Sequence, residues 1–237
     1  MSNADHWERE AENWKAWART PDHDVFWCYR DAFFELVPAP GRATLEVGCG
    51  EGRVSRELGR RGHRVVGIDA APTLLAAAHE ADPAGEYLLA DAVALPFDAG
   101  SFDLVVAYNS LMDIDDMPRA VEEVARVLEP NGRFCVCVTH PLADAGAFVS
   151  REPNSEFVID CSYLGRRLFE ETFERNGLTM NFRGWAYPLE EYAIAFERAG
   201  LAIEALREPA LAAGDDPEDR RWRRIPMFLM LRACKSA

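Results

Sequence analysis

The sequence predicts an α/β fold built on a doubly wound parallel sheet, and three observations carry that reading. From Ala43 onward, short apolar runs alternate with amphipathic helical patterns, as parallel strands joined by crossover helices require. The run Thr44-Leu-Glu-Val47 is short and largely β-branched or apolar, suited to a strand covered on both faces, and leads into Gly48-Cys-Gly-Glu-Gly52. Glycines there let the backbone turn tightly and approach a ligand that a Cβ would repel. A second strand over residues 64–68 then delivers Asp69 to its carboxyl end. Sheets of this kind bind ligands at that edge, and a carboxylate there can take both hydroxyls of a ribose. The ligand so implied contains a nucleoside.

In chain order, residues 1–40 read as two helices. Ser2-Asn-Ala-Asp5 resembles a capping box, and Trp7, Ala11, Trp14 and Ala18 form one apolar stripe. Thr20-Pro-Asp-His-Asp24 breaks the pattern; Phe26, Tyr29, Phe33 and Leu36 mark the second helix, which Pro38 and Pro40-Gly41 stop. Aromatics at helical spacing serve packing by default. The first strand is expected over 43–47. Val54 and Leu58 share a face of the next helix, which Gly62 ends. Pro72 starts another helix, and a third strand over 86–90 ends at Asp91.

The fourth strand, 103–107, follows Leu95-Pro-Phe-Asp98, and Tyr108-Asn109 stands just beyond it. A helix over 117–128 and a turn at Pro130-Asn-Gly132 precede the fifth strand, 133–139. Residues 141–187 then interrupt the alternation with charges, proline, glycine and aromatics including Phe148, Phe169, Phe173 and Phe182. So long a connection is functional or a small subdomain: a cap bearing an acceptor pocket, or a plain hairpin covering exposed sheet. A helix over 189–199, stopped by Gly200, and strands near 201–206 and 227–231 complete the chain.

Glycine spacing separates the nucleoside ligands. Dinucleotide folds use G-x-G-x-x-G and set a pyrophosphate on a helix N-terminus; here Glu46 precedes a G-x-G-x-G, and Arg53-Val54 stands where a phosphate loop wants Lys-Ser or Lys-Thr. Flanking Glu46 and Glu51 favour a cationic or zwitterionic ligand. These residues resemble motif I of the class I S-adenosylmethionine (SAM)-dependent methyltransferases, of the type 11 small-molecule branch. Leu95-Pro-Phe-Asp98 with Ser101-Phe-Asp-Leu-Val-Val106 resembles a second signature. Ala125-Arg-Val-Leu-Glu-Pro-Asn-Gly132 resembles a third, with Asn131 in place of a glycine. The likeness covers 43–139 strongly and 188–232 by pattern.

The resemblance implies a Rossmann-like seven-stranded sheet in the order 3-2-1-4-5-7-6 with an antiparallel last strand, in a single domain. Within it, 1–40 is expected as a helical lid, 41–140 as the cofactor core, 141–187 as the cap and 188–237 as the completion of the sheet. SAM, leaving as S-adenosylhomocysteine, would be gripped by Gly48, Gly50, Asp69 on the ribose and Asp91 on the adenine amino group. The Cys49, Ala70 and Ala92 backbones are expected alongside, with Glu46 orienting the loop or meeting the ligand's ammonium. Tyr108 and Asn109 would face the sulfonium and acceptor, and the lid would bring Trp17 and Arg19 to the methionine end. Relatives often carry histidine after the fourth strand; Leu111-Met-Asp113 excludes one here, and leaves Asp113 as a pocket candidate. His140, at the end of the fifth strand, is then the histidine candidate for proton removal, with Tyr108 beside it; the alternative is a histidine that fixes the loop.

Composition narrows the partners. Across 237 residues the formal charge is −14, which opposes nucleic-acid binding. The basic run Arg220-Arg-Trp-Arg-Arg224 either binds an anion or pairs with Asp215, Asp216, Glu218 and Asp219. Six cysteines lack C-x-x-C spacing, and Cys135 and Cys137 read as core residues, so no metal site is expected. Without a signal peptide or an apolar run of spanning length, a cytoplasmic protein away from membranes is expected, as a monomer or homodimer. The function expected is methyl transfer to a small-molecule acceptor. A SAM-binding protein without transfer is the alternative, and an NAD-dependent oxidoreductase fits the glycine spacing worse.

Overall fold

In the computed structural model, which describes residues 1–211 and 217–236, helices α1 (Asn3–Arg19) and α2 (Phe26–Leu36) precede the sheet. Ser2 and Asp5 form the expected capping box at the start of α1. The alternating core then runs β1 (Thr44–Val47), α3 (Arg53–Arg60), β2 (Val65–Asp69), α4 (Pro72–Ala81), β3 (Glu86–Leu89), β4 (Phe102–Tyr108), α5 (Met117–Val127) and β5 (Leu128–Thr139). Two ribbons follow, β6 (Gly146–Phe148) with β7 (Phe157–Ile159) and β8 (Arg167–Arg175) with β9 (Leu178–Ala186). The chain closes with α6 (Leu189–Arg198), β10 (Leu201–Arg207) and β11 (Phe228–Lys235).

Among the described residues one sheet has seven strands, ordered β3-β2-β1-β4-β5-β11-β10. Numbered within the sheet, this is the expected 3-2-1-4-5-7-6. The strands β1 to β5 pair in parallel, and β11 runs antiparallel to both β5 and β10. The order reverses between β1 and β4, which opens the crevice where such sheets take a ligand.

Residue parity along the central strands divides the core into two layers. Val105, Ala107, Phe134 and Val136 meet Val121 and Val124 of α5 and Phe196 of α6. Leu104, Val106, Cys135 and Cys137 meet Phe33 of α2 and Val54 and Leu58 of α3. Both cysteines are therefore small core residues, and burial pushes the Cys135 thiol up to about 12. Among the described residues no cluster suited to a metal ion occurs, and no helix is long and apolar enough to cross a membrane.

Long-range pairing moves some boundaries. The expected turn at 130–132 lies inside β5: Leu128 pairs with Phe102 and Arg133 with Leu104, and the intervening residues loop out around Asn131 at φ 64°. The Leu95-Pro-Phe stretch has a structural cause. Glu123 accepts from the Leu95 N–H at 2.9 Å, while Arg126 donates to the Leu95 and Phe97 carbonyls at 2.9 and 2.7 Å.

Helix α1 leaves the sheet and seats on α4, where Glu8 accepts from the Thr73 N–H and hydroxyl at 3.0 and 2.6 Å. Its other side meets β9 through His6 on the Asn181 carbonyl at 2.8 Å and Asn3 on Arg183 at 3.0 Å. In the basic run, Arg221 and Arg224 donate to the Ser150 and Ser155 carbonyls at 2.9 and 2.7 Å. The alternative partners Asp215 and Asp216 lie outside the described residues.

Candidate active site

A cleft of about 1380 Å³ opens at the carboxyl ends of β1, β2 and β4. Trp14 and Trp17 of α1, Phe169 and Phe173 of β8 and Phe182 of β9 supply its aromatic wall. The floor is the glycine turn. Gly48 and Cys49 both donate to the Ile68 carbonyl, at 2.9 and 2.8 Å, which locks the turn to β2. Gly48 has a φ of 71°, and a Cβ there would stand 2.4 Å from Cβ of Ser110, whose hydroxyl donates to the Val47 carbonyl at 2.6 Å. A Cβ on Gly50 would reach within 3.3 Å of Trp14 Nε1 across the cleft edge.

The carboxylates around the turn are engaged by the protein. Asp69 accepts from the Gly50 N–H at 2.8 Å through one oxygen and from the Ala71 N–H at 2.9 Å through the other. Burial raises its pKa despite those donors, and each oxygen keeps a second lone pair for a hydroxyl. Glu46 is 2 % exposed and accepts from the Ser55 hydroxyl. Burial, with Asp69 and Glu51 nearby, pushes it up to about 8. Glu51 is held by Arg56 at 2.9 Å and Arg19 at 3.1 Å. These two acids secure the turn, so the cationic preference drawn from their positions in sequence is weakened by neutralisation in one and pairing in the other.

The remaining expected contacts also stand at the cleft. Asp91 gives Oδ1 to the Val93 N–H at 3.1 Å, which leaves Oδ2 for a ligand. Ala70 and Ala92 line the same wall, and Cys49 turns its side chain into a small core cluster with Leu75, Ala78 and Tyr87, leaving its backbone to the turn. Asn109 adopts a left-handed φ of 50°, and its buried Oδ1 has no hydrogen-bond partner among the described residues.

Comparison with known proteins bears on this geometry. Residues 45–136 match the family described as methyltransferase domain. A methyltransferase of uncharacterised role from Mycobacterium tuberculosis is 39 % identical over 99 residues, covering 42 % of this chain and 40 % of its own. The demethylmenaquinone methyltransferase of Thermus thermophilus is 38 % identical over 131 residues, 53 % of this chain and 59 % of its own. The chain thus spans only 40 % and 59 % of the length of these two curated relatives. A SAM-dependent methyltransferase structure from Mesorhizobium loti superposes with a TM-score of 0.70 at 26 % identity, covering 90 % of this chain and 99 % of that one. Residues 45–136 thus resemble a methyltransferase domain, and the chain as a whole is similar in fold to a SAM-dependent methyltransferase.

SAM fits this cleft on the structure's own features. The turn at Gly48 and Gly50 has no room for further side chains, Asp69 and Asp91 each retain acceptor capacity, and the Asn109 oxygen stands buried without a partner among the described residues.

Two expected site residues are placed elsewhere. Arg19 is absent from the cleft lining; its guanidinium spans Glu51, Glu80 and the Ala77 carbonyl at 3.1, 3.1 and 2.6 Å, and so clamps the outside of the turn. His140 is not among the lining residues either. Its Nδ1 accepts from the Leu142 N–H at 3.0 Å, so Nε2 carries the proton and donates to Glu208 at 2.8 Å. Burial lowers its pKa. It fixes the loop after β5, the alternative open at the sequence level. Tyr108 does line the cleft, but its ring packs edge-on against Phe26 and Phe33 and burial pushes its hydroxyl well up, which suits a wall and not a base.

Trp17 is 7 % exposed and lines the cleft, packed edge-on against Phe182 at 5.8 Å. Asp113, a pocket candidate in the sequence, does line the cleft, and the sequence reading missed Asp144 and His23 there. Asp144 follows β5 and burial pushes it up to about 7; Asp113, across the same cleft, is raised well up by burial and by Asp69 and Asp144. His23, from the break between α1 and α2, lines the cleft at 2 % exposure. Its only sequence signal was a histidine inside the segment joining two aromatic helices.

Proposed function

We propose that the chain transfers a methyl group from SAM to a small-molecule acceptor. One observation carries the reading: a single cleft of about 1380 Å³ joins the glycine turn to the aromatic wall of α1, β8 and β9. Sites for one drug-sized ligand measure about 300–1,000 Å³, so this one has room for two reactants side by side.

SAM, when bound, supplies an electrophilic methyl group on a sulfonium. The chain's own contribution is position and exclusion of water. The turn at Gly48–Gly50, with Asp69 and Asp91, would hold the nucleoside end, and Asn109 would offer its oxygen near the reacting centre. The aromatic wall would orient an apolar or aromatic acceptor; the Thermus relative, by its name, acts on a demethylmenaquinone. Holding reactants in line removes much of the entropic barrier to such a displacement. Residues 1–40 act as the lid and 141–187 as the acceptor cap in this reading. It also includes a cytoplasmic protein acting as monomer or homodimer, without nucleic-acid or membrane partners.

Calorimetry with SAM and with NAD, followed by tracking of labelled methyl from SAM into a metabolite extract, tests it. SAM binding with label transfer is expected. SAM binding with no label in any product would favour the non-transferring alternative, and NAD binding in place of SAM would sink both.

A further inference from the structure

The polar group that the cleft leaves most exposed to demand is His23. Its ring is 2 % exposed, it lines the cleft, and neither Nδ1 nor Nε2 has a hydrogen-bond partner among the described residues. A buried imidazole normally has at least one nitrogen satisfied, because each unpaired buried polar group costs about 1–3 kcal/mol. The ring is held in place without using either nitrogen: Trp17 meets it edge-on at 4.3 Å between centroids. Trp17 in turn packs on Phe182, and Phe182 on Phe173, so the imidazole sits at one end of an aromatic wall.

The charges around it are arranged to keep the ring neutral and to favour an anion beside it. Asp24, its chain neighbour, is occupied by Arg53 of α3 and by the Phe26 N–H at 3.1 Å. From β8, Arg175 and Glu174 line the same cleft, and the Arg175 charge acts on the ring. Burial, then Arg175, lower the histidine's pKa, and Asp24 opposes them.

We propose that His23 is the acceptor-binding residue of this site and that it takes the proton of a hydroxyl carried on an aromatic ring, a phenol or enol. This rests on the methyl-transfer reading above. The acceptor ring lies along the Trp17–Phe182–Phe173 wall with its hydroxyl on the imidazole. The O–H bond breaks, the proton goes to the unprotonated ring nitrogen, and the oxygen keeps the electron pair that makes it a nucleophile. Arg175 favours the negative charge left on oxygen. An amine acceptor would develop positive charge near Arg175 as its nitrogen takes the methyl group, and a plain hydrocarbon would leave both nitrogens unpaired, so the surroundings select the phenol class.

The test uses the full chain saturated with S-adenosylhomocysteine and three probes of matched shape: p-cresol, p-toluidine and toluene. In the wild type, p-cresol should shift the ¹⁵N resonances of the His23 imidazole, and toluene should not. His23→Phe, which keeps an aromatic ring in the packing, should weaken p-cresol at least tenfold while S-adenosylhomocysteine affinity stays within twofold. His23→Gln, which can accept a hydrogen bond but not a proton at neutral pH, should bind p-cresol nearly as wild type. In a parallel assay with SAM in place of S-adenosylhomocysteine, it should also lose the fall in p-cresol methylation that protonation of His23 causes as pH drops below 6.5. Unmoved His23 resonances, or equal p-cresol affinity in His23→Phe, overturn the proposal. Failure of the wild type to bind S-adenosylhomocysteine instead overturns the methyl-transfer reading on which it rests. Should His23→Phe fail to fold, the wild-type resonances and His23→Gln still decide.

Discussion

The carboxylates on the sheet side of the cleft and the polar groups facing them from α1, β8 and the segment after α1 are managed in opposite ways. On the sheet side, Glu46, Glu51 and Asp69 each hold at least one protein donor, and the turn itself is tied to β2 by paired N–H groups. On the opposite side, both nitrogens of His23, Nε1 of Trp7 and Nε of Arg167 are buried with no hydrogen-bond partner among the described residues. A ligand of fixed chemistry is best met by a site whose geometry the backbone has already set. A second ligand must be chosen by groups that remain available, and their unmet demand becomes specificity when the right partner arrives. The contrast teaches where to look for the acceptor: away from the motif.

If the sheet side is truly preset, the largest effect comes from Gly48→Ala. The new Cβ meets Ser110 at 2.4 Å and holds a φ of 71°. Left-handed strain and overpacking together should cost about 3 kcal/mol in urea denaturation and abolish SAM binding. Retained stability would show the turn to be more plastic than its hydrogen bonds suggest.

Asp69→Asn comes next. An amide can keep one acceptor but sets a donor against the N–H of Gly50 or Ala71, so SAM affinity by calorimetry should fall about 10- to 100-fold, the worth of a hydrogen bond to a charged group. Unchanged affinity would remove Asp69 from the ribose role.

Glu46→Gln tests the same side through pH. The carboxyl of Glu46 is raised from its ordinary 4.5 to about 8, so the folded chain holds a proton that the unfolded chain has released across that window. Its contribution to stability is full below pH 4.5 and is lost as pH rises toward 8. The glutamine variant keeps a neutral group, so it should flatten this slope and be more stable at pH 8 by about 2 kcal/mol. A wild-type stability that does not decline toward pH 8 would count against a protonated Glu46.

The smallest effect is expected from His140→Ala, which removes a contact to a half-exposed Glu208 and one loop hydrogen bond. It should cost under about 1 kcal/mol and leave the pH–rate profile in place. A changed profile would return His140 to the site and blur the division between the two sides.

Much of this protein was legible locally. The glycine turn, Asp69, the alternation from β1 to β5 and the capping box all rest on backbone rules spanning a few residues, and each was placed within a residue or two. Tertiary structure decided which charges and rings face the cleft. Arg19 and His140 stood at plausible positions along the chain, yet partners 32 and 68 residues away turned them elsewhere. His23 looked like part of a break between helices until Trp17 and the β8–β9 ribbon enclosed it. The sequence by itself determined the strands and the glycine turn, because strand periodicity and glycine conformation act over short range; the strand order was implied by the family resemblance. Only the packed structure decided which polar groups face the cleft unpaired, because a side chain's availability depends on every distant group that could satisfy it first.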